Sequence, residues 1–227
     1  MINKTDFKIN ILELEKLLPL VKWDNDNRAL LNEPTGHWLY DPYTILESWK
    51  GTAFEDLLNE IPYNIGEARL MKLMPEDAYR AHADADNRLY INITGNEYCY
   101  LIDLNNSKMH QVLTDGHLYF MDAGLIHTAV NFGCTPRIQL VIRLLLKRNL
   151  SPEYITTSIK IKNPPYNLRY LLDKHISPVL NKLANTGEIG FFDPVSTTVT
   201  NLVLSKNALV EIENRLKILN LSYEFAE

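Results

Sequence analysis

The run RLYINIT at residues 88–94, followed by a Gly95-Asn96 turn and the run EYCYLIDL at residues 97–104, decides the fold class. Both runs are short and rich in β-branched, aromatic and aliphatic residues, which are typical of strands. Glycine and asparagine are turn formers, so the two runs are predicted to be separate strands. Short strands divided by turn signals favour a sandwich or a barrel.

The same pattern continues on both sides of this pair. Further runs of this type are ARLMKLM (68–74), HQVL (110–113), HLYFMD (117–122) and RIQLVIRLLL (137–146). No long helical pattern alternates with these strands, which excludes a sheet built from βαβ units. We therefore predict a mainly β fold over residues 66–147, a double-stranded β-helix of the jelly-roll, cupin-like kind.

Helical patterns flank the predicted barrel. On the N-terminal side, residues 11–20 predict a short helix ending near Pro19, and Thr52 to Glu60 fits an amphipathic helix. We divide the chain into residues 1–150, a double-stranded β-helix domain with an N-terminal helical flank, and residues 151–227, a mostly helical C-terminal extension. This extension is expected to pack on the barrel or to form a homodimer contact.

Local signals predict the elements of the extension. Ser151-Pro152-Glu153 is typical of a helix start. Residues 166–184 predict a helix with an interruption at Pro178, and residues 195–204 predict a strand. Ser205 is predicted to cap a final helix.

Composition limits the function classes. The chain has 227 residues and a formal net charge of −5, so it has no general basic footprint for nucleic acid. It has 2 cysteines, too few for a disulfide framework. No apolar run is long enough to span a bilayer and no signal-peptide pattern opens the chain. We expect a soluble, cytoplasmic protein without a membrane partner.

Three residues form the candidate metal site. His82 and Asp84 are two positions apart, so an extended backbone directs both side chains to one side. His127 follows 43 positions after Asp84, where an antiparallel sandwich could return the chain to the same place. Two imidazoles and one carboxylate leave positions open on a metal, which suits non-haem Fe(II). Zinc hydrolases use the same ligand types, so the ligands alone do not identify the metal.

Arg137 adds a second kind of site. It lies ten positions after His127, at the start of the apolar run IQLVIRLLL. A guanidinium at the inside of a barrel needs an anion and can bind a carboxylate through two hydrogen bonds. The distal carboxylate of 2-oxoglutarate is such a partner, whereas a zinc hydrolase has no general need for one.

Several of these motifs occur in the order of a known family. They are the H-x-D of His82 and Asp84, the RLYINIT strand, the Gly116 turn into LYFMD, the H-x-x-x-N of His127 and Asn131, and Arg137 before IQLVIRL. From about Ala68 to Leu146 the chain resembles the aspartyl/asparaginyl β-hydroxylase-like group of 2-oxoglutarate oxygenases, which includes bacterial proline hydroxylases.

The resemblance implies cofactors and residue roles. Fe(II) would be held by His82, Asp84 and His127, and Arg137 would hold 2-oxoglutarate, with O2 as the second cosubstrate. Arg88 would contact a substrate carboxylate. Tyr90 stands where the family often has a histidine that holds the cosubstrate, and its phenol can still donate a hydrogen bond.

Other residues compete with these assignments. Asp86 rivals Asp84 as the carboxylate ligand, and the family spacing favours Asp84. Asn131 could support the site or cap a turn, and we favour the turn. The remaining histidines and a group of aromatic residues are interpreted as structural, although the latter could line the substrate entrance. These residues are His37, His110, His117 and His175, and Trp38 and Tyr40 together with His37.

The predicted function is that of an Fe(II)- and 2-oxoglutarate-dependent dioxygenase. It would hydroxylate an amino acid, either as a free small molecule or within a peptide or protein. Two alternatives stay open: another metal-dependent cupin enzyme, such as a hydrolase or isomerase, and a non-catalytic cupin-like binding protein.

Overall fold

A computed structural model describes residues 2–36, 38, 40–84, 86–145, 154–186, 188–192 and 199–226. The chain divides into two compact units. The first comprises Met1–Arg80, Asp86–Asp122 and His127–Leu145, and the second comprises Ala81–Ala85, Ala123–Ile126 and Leu146–Glu227. Two short segments from the middle of the chain therefore belong to the same unit as the C-terminal extension. The predicted domain boundary near residue 150 stays a prediction.

Short elements precede the barrel. They are β1 (Ile2–Lys8), α1 (Ile11–Glu15), a 3-10 turn (Leu18–Leu20), β2 (Arg28–Leu30), β3 (Asn32–Pro34), β4 (Tyr43–Ile45), a 3-10 turn (Glu47–Trp49) and α2 (Ala53–Glu60). The helix predicted for residues 11–20 is shorter than expected, because the chain leaves the α-helical path before Pro19 and closes only a 3-10 turn there. The helix predicted from Thr52 to Glu60 is confirmed, with Thr52 at its N-cap.

Eight strands form the barrel. They are β5 (Ile65–Leu73), β6 (Asp77–Ala78), β7 (Arg88–Thr94), β8 (Cys99–Asp103), β9 (Lys108–Gln111), β10 (His117–Met121), β11 (His127–Asn131) and β12 (Arg137–Leu144). β10, β7, β12 and β5 are neighbours in one sheet, which β1 and β2 extend at its edges; we call it the large sheet. β6, β11, β8 and β9 form a second, small sheet. All these pairs are antiparallel.

The strand order identifies the jelly roll. Successive strands pass between the large and the small sheet, except that β8 and β9 form a hairpin within the small sheet. Eight antiparallel strands divided between two four-stranded sheets in this way form a double-stranded β-helix. The predicted mainly β, cupin-like fold is confirmed.

The main hydrophobic core lies on the outer face of the large sheet. Alternate residues such as Leu89 and Ile91 of β7 and Leu140 of β12 pack against the N-terminal flank, including Phe54 of α2. These side chains are fully buried. Burying each one stabilises the fold by about 1.5–3 kcal/mol. Because apolar residues occupy every second position of these strands, they form one apolar face that packs against the N-terminal flank.

The inner face of the large sheet is polar. The residues of β7 and β12 that alternate with the core positions include Arg88, Tyr90 and Asn92, and Arg137 and Gln139, all buried. Gln139 donates a hydrogen bond to Asn92 (3.0 Å), which in turn donates to the Val112 carbonyl (2.8 Å). The buried polar side chains of β7 and β12 therefore lie on the face opposite the apolar core.

The C-terminal unit is a mixed structure rather than mostly helical. Its elements are β13 (Ile155–Lys162), α3 (Leu168–Leu171), a π-helical turn (Leu172–Ile176), α4 (Ser177–Asn185), β14 (Ile189–Phe192), β15 (Val199–Leu204), α5 (Lys206–Ile218) and β16 (Ser222–Ala226). The four strands form an antiparallel sheet in the order β14-β15-β13-β16.

The predictions for this unit have different outcomes. Residues 151–153, the predicted helix start, lie outside the described residues, and the segment after them is β13, because the alternating β-branched residues of ITTSIKIK favour a strand. The interruption predicted at Pro178 occurs one turn earlier, as the π-helical turn before α4.

Ser205 caps α5 as predicted, since its hydroxyl accepts a hydrogen bond from the Ala208 N–H (3.1 Å). The strand predicted for 195–204 is present over its described part.

No helix in the described ranges has the length and apolar character needed to cross a bilayer.

Candidate metal centre and buried arginine

His82 and Asp84 lie on the short connection between β6 and β7. Ala83 between them is buried, whereas His82 and Asp84 keep 31% and 20% of their side-chain surface exposed. The His82 Nε2 and an Asp84 carboxylate oxygen are 3.9 Å apart. The Asp84 N–H donates to the Ala123 carbonyl (2.8 Å), which fixes the backbone of this connection. The two side chains therefore face the same place, although the segment is not a regular strand.

His127 is the first residue of β11, directly opposite Asp103 on β8. It is buried. One candidate ligand atom from each of His82, Asp84 and His127 lies within 4.8 Å of the others. Because a metal ion at the centre of such a group would be within bonding distance after small side-chain adjustments, the three residues fit a metal ion. This is the only such group among the described residues.

Asp86, the rival carboxylate, has other partners. It is buried, and its two oxygens lie 2.9 Å from an Arg88 nitrogen and 2.5 Å from an Arg143 nitrogen. The Arg143 Nε also donates to it (2.6 Å). A carboxylate that neutralises two buried guanidinium groups is not available to a metal. The geometry agrees with the choice of Asp84.

Arg88 lies on the inner face of β7, as the predicted substrate role requires, but it is ion-paired with Asp86. Arg143 is the functional candidate that the sequence reasoning missed. Its guanidinium stacks over the Trp38 ring, 3.9 Å from the centroid. Burial lowers the pKa of Arg143, and Asp86 opposes that shift. The signal was present in the sequence, because Arg143 is six positions after Arg137 on one strand and so shares its face.

Arg137 is fully buried at the start of β12. None of its three guanidinium nitrogens has a hydrogen-bond partner among the described residues. The groups that most affect its charge are the phenols of Tyr79 and Tyr90 and the thiol of Cys99. Burial lowers the pKa of Arg137. It remains a cation at neutral pH, since an arginine does not lose its proton in proteins.

Tyr90 and Tyr79 border this guanidinium. The Tyr90 ring stacks on Tyr119 from the neighbouring strand, with centroids 5.4 Å apart. Burial raises the pKa of Tyr90, so its phenol is protonated at neutral pH. Burial also raises the pKa of Tyr79, while the charge of Arg137 opposes the shift. The Tyr79 hydroxyl favours the charged form of Arg137 as a neighbouring hydrogen-bonding group, although the two side chains do not reach regular hydrogen-bond geometry. No sequence signal had selected Tyr79.

The other predicted structural residues stay outside the site. The Asn131 side chain accepts from the Gly133 N–H (3.1 Å) and donates to the Thr135 carbonyl (2.9 Å), so it holds the turn as we favoured. His117 Nδ1 contacts the Thr5 carbonyl (3.1 Å). Tyr40 is buried, while Trp38 packs on Arg143. His37 lies outside the described residues.

Comparison with known proteins gives structural likenesses only. No family model matches the chain, and no curated protein matches it. Among solved structures, TT1209 from Thermus thermophilus aligns with 61% of this chain and 98% of its own, at 14% identity and a TM-score of 0.31. A predicted oxalate decarboxylase from Thermotoga maritima aligns with 56% of this chain and 98% of its own, at 18% identity and a TM-score of 0.31. CapF, solved with the inhibitor 3-isopropenyl-tropolone, aligns with 54% of this chain and 31% of its own, at 12% identity and a TM-score of 0.31. At this similarity the fold assignment rests on the strand order, and activity has to be argued from the site.

Proposed function

We propose that the chain is an Fe(II)- and 2-oxoglutarate-dependent dioxygenase that hydroxylates an amino acid, free or within a peptide or protein. The candidate metal ligands His82, Asp84 and His127 support a metal-dependent reaction. The observation that carries the 2-oxoglutarate assignment is the Arg137 guanidinium, buried and without a hydrogen-bond partner in the described part of the chain.

A buried cation without an anion is unfavourable. Its effective desolvation penalty is several kcal/mol. A carboxylate placed against the guanidinium would remove this penalty and form two parallel hydrogen bonds. Burial raises the pKa of both neighbouring phenols, Tyr79 and Tyr90, so neither is an anion at pH 7, and the anion has to come from a ligand. The distal carboxylate of 2-oxoglutarate has the required charge and shape.

The remaining residues have complementary tasks. His82, Asp84 and His127 would each bind Fe(II) through one atom and leave three positions for the two cosubstrates. Iron held there would couple oxidative decarboxylation of 2-oxoglutarate to hydroxylation of a C–H bond. The Tyr90 phenol, kept protonated by burial, would donate a hydrogen bond to the cosubstrate. Arg88 would bind a substrate carboxylate, because its guanidinium is buried among the polar side chains on the inner face of β7.

Anaerobic titration tests the proposal. Apo-protein receives Fe(II) and then 2-oxoglutarate, and the weak visible metal-to-ligand charge-transfer band is recorded. We expect the band in the wild type, and succinate release in air that depends on both additions. Arg137→Met should weaken 2-oxoglutarate binding, whereas Arg28→Met, at a half-buried arginine paired with Asp24 and Asp26, should not.

Two different negative results would contradict two different parts of the proposal. Iron binding without a band contradicts the cosubstrate assignment and favours another metal-dependent cupin reaction, such as hydrolysis or isomerisation. Absence of any metal binding contradicts the metal centre and favours a binding protein without catalysis.

A further inference from the structure

The loop Ala123–Ile126 and helix α4 belong to the same compact unit. The loop joins β10 to β11 and ends immediately before His127. Ala123 and Ile126 are buried, and so is Asn181 on α4. The segment that leads into a candidate ligand is therefore enclosed in the unit that contains the C-terminal extension.

Gly124 approaches Asn181 too closely for any side chain on the loop. A methyl group at position 124 would lie 2.7 Å from the Asn181 Cγ and 2.8 Å from its Cβ. Gly124 is not among the glycines with positive φ, which are Gly51 and Gly116. Glycine is therefore required here by space and not by backbone conformation.

The loop that contains Gly124 is connected to two of the candidate ligands, Asp84 and His127. The residue before Gly124 is Ala123, whose carbonyl accepts the Asp84 N–H (2.8 Å). Three residues after Gly124 the chain reaches His127. The position of Gly124 thus affects Asp84 through one hydrogen bond and His127 through three peptide units.

We propose that Asn181 is a positioning residue for the metal centre, acting through Gly124 on Asp84 and His127. The inference rests on the proposed metal site, and it gives the C-terminal extension a direct part in that site. The support of Asn181 is rigid because its neighbours on α4, Leu180 and Leu183, are buried. Metal ligands must be held within about 0.5 Å of their working geometry, which a methyl group at position 124 would disturb.

A pair of substitutions tests the contact. Gly124→Ala should weaken binding of Co(II), used as a spectroscopic probe, by about 10–100-fold, the range for groups that orient metal ligands. Asn181→Gly in the same chain removes the three side-chain atoms that the methyl group would meet. The double variant should therefore bind Co(II) more tightly than Gly124→Ala. Its melting temperature should nevertheless fall, because glycine destabilises a helix.

If the double variant gains Co(II) affinity while its melting temperature falls, the change in affinity does not come from a general change in stability. As a control, Gly51→Ala forces alanine into a left-handed conformation (φ +68°) with no atom within 4 Å of the new methyl group. It should lower the melting temperature and leave Co(II) affinity unchanged. If Gly124→Ala does not fold, Asn181→Ala, which adds no volume, should weaken Co(II) binding several-fold when compared with Gly51→Ala.

Two results would overturn the inference: wild-type affinity in Gly124→Ala or Asn181→Ala, or a double variant that binds no more tightly than Gly124→Ala. Failure of the proposed function has a different signature. In that case the wild type itself binds no Co(II), or binds it with an affinity that does not change in His127→Ala.

Discussion

Arg88 and Arg143 lie directly opposite each other on the neighbouring antiparallel strands β7 and β12. Like charges in this position repel, and the carboxylate of Asp86, which lies between them and pairs with both, offsets this repulsion. The inner face of the large sheet therefore depends on one acidic side chain.

Replacing this acid should destabilise the fold strongly. We expect Asp86→Asn to lower the free energy of unfolding by about 3–5 kcal/mol, because it removes the buried carboxylate that pairs with both guanidinium groups. Asp26→Asn is the matched control, since Asp26 also pairs with an arginine but is exposed, and should cost no more than about 1 kcal/mol. Urea unfolding of both variants measures the difference. Equal losses of unfolding free energy in the two variants would show that the buried ion pairs of Asp86 stabilise the fold no more than the exposed ion pair of Asp26.

Asp84, and not its neighbour Asp86, should determine metal affinity. Asp84→Ala removes a ligand and should weaken Co(II) binding by at least ~100-fold, beyond the usual effect of losing a group that only orients a ligand. Asp77→Ala, at an exposed aspartate on β6, is the control and should bind like the wild type. Isothermal titration of the apo-proteins gives both constants. Undiminished binding by Asp84→Ala would remove Asp84 from the ligand set.

Arg137 should destabilise the ligand-free protein. Arg137→Met replaces an unpaired buried cation with an apolar chain of similar length, so we expect the apo-protein to gain about 1–3 kcal/mol in unfolding free energy. The wild type should instead be stabilised by 2-oxoglutarate, by about 2.7 kcal/mol at a hundredfold excess over Kd, and the variant should not. Thermal melts with and without 2-oxoglutarate measure both effects. A less stable Arg137→Met apo-protein would mean that the guanidinium already has a partner.

Asp115 should make stability depend on acid pH. Burial alone would raise its pKa, but hydrogen bonds from Lys4, the His117 N–H and Tyr119 together lower it below the ordinary value of 3.8. A lowered folded-state pKa stabilises the protein above the unfolded pKa, and this contribution is lost as the pH falls through the folded pKa. Above about pH 4, the wild type should exceed Asp115→Asn in unfolding free energy by the whole contribution of this carboxylate. As the pH falls further, this difference should shrink toward zero.

A second substitution controls for this assignment. Lys4→Met removes the 2.7 Å ion pair with Asp115, so the gap should narrow in that background. Denaturant melts from about pH 7 down to about pH 2, which cross the unfolded pKa of the carboxyl, would show it. A gap that does not change with pH would contradict the role of Asp115 in acid stability.

The barrel was predictable because its signals are local. RLYINIT alternates core and inner positions in one strand, and the spacing of His82 and Asp84 places both on one side of an extended segment. By contrast, β1 was missed because INKTDFK is mostly polar and becomes a strand only by pairing with β10, far away in sequence. Ser151-Pro152 suggested a helix although the following residues form β13.

A site residue could be predicted from the sequence only where it matched the spacing of the family's motifs or where its side chain is a typical ligand for a metal or an anion. The choice of Asp84 over Asp86 followed from spacing, but its physical reason, the two arginines that hold Asp86, requires the register of β7 and β12. Tyr79 and Asn181 carry no sequence signal. Each acquires its place through contacts with a residue far away in the chain, Arg137 for one and Gly124 for the other.

The segregation of the large sheet has an evolutionary consequence. The apolar packing that stabilises the large sheet lies on its outer face, where Leu89, Ile91 and Leu140 pack on the N-terminal flank. Inner positions such as Val141 and Met71 can therefore be exchanged at small cost to folding. A scaffold of this kind can acquire new substrate preferences by few substitutions, which also makes those two positions the natural start for a directed-evolution library.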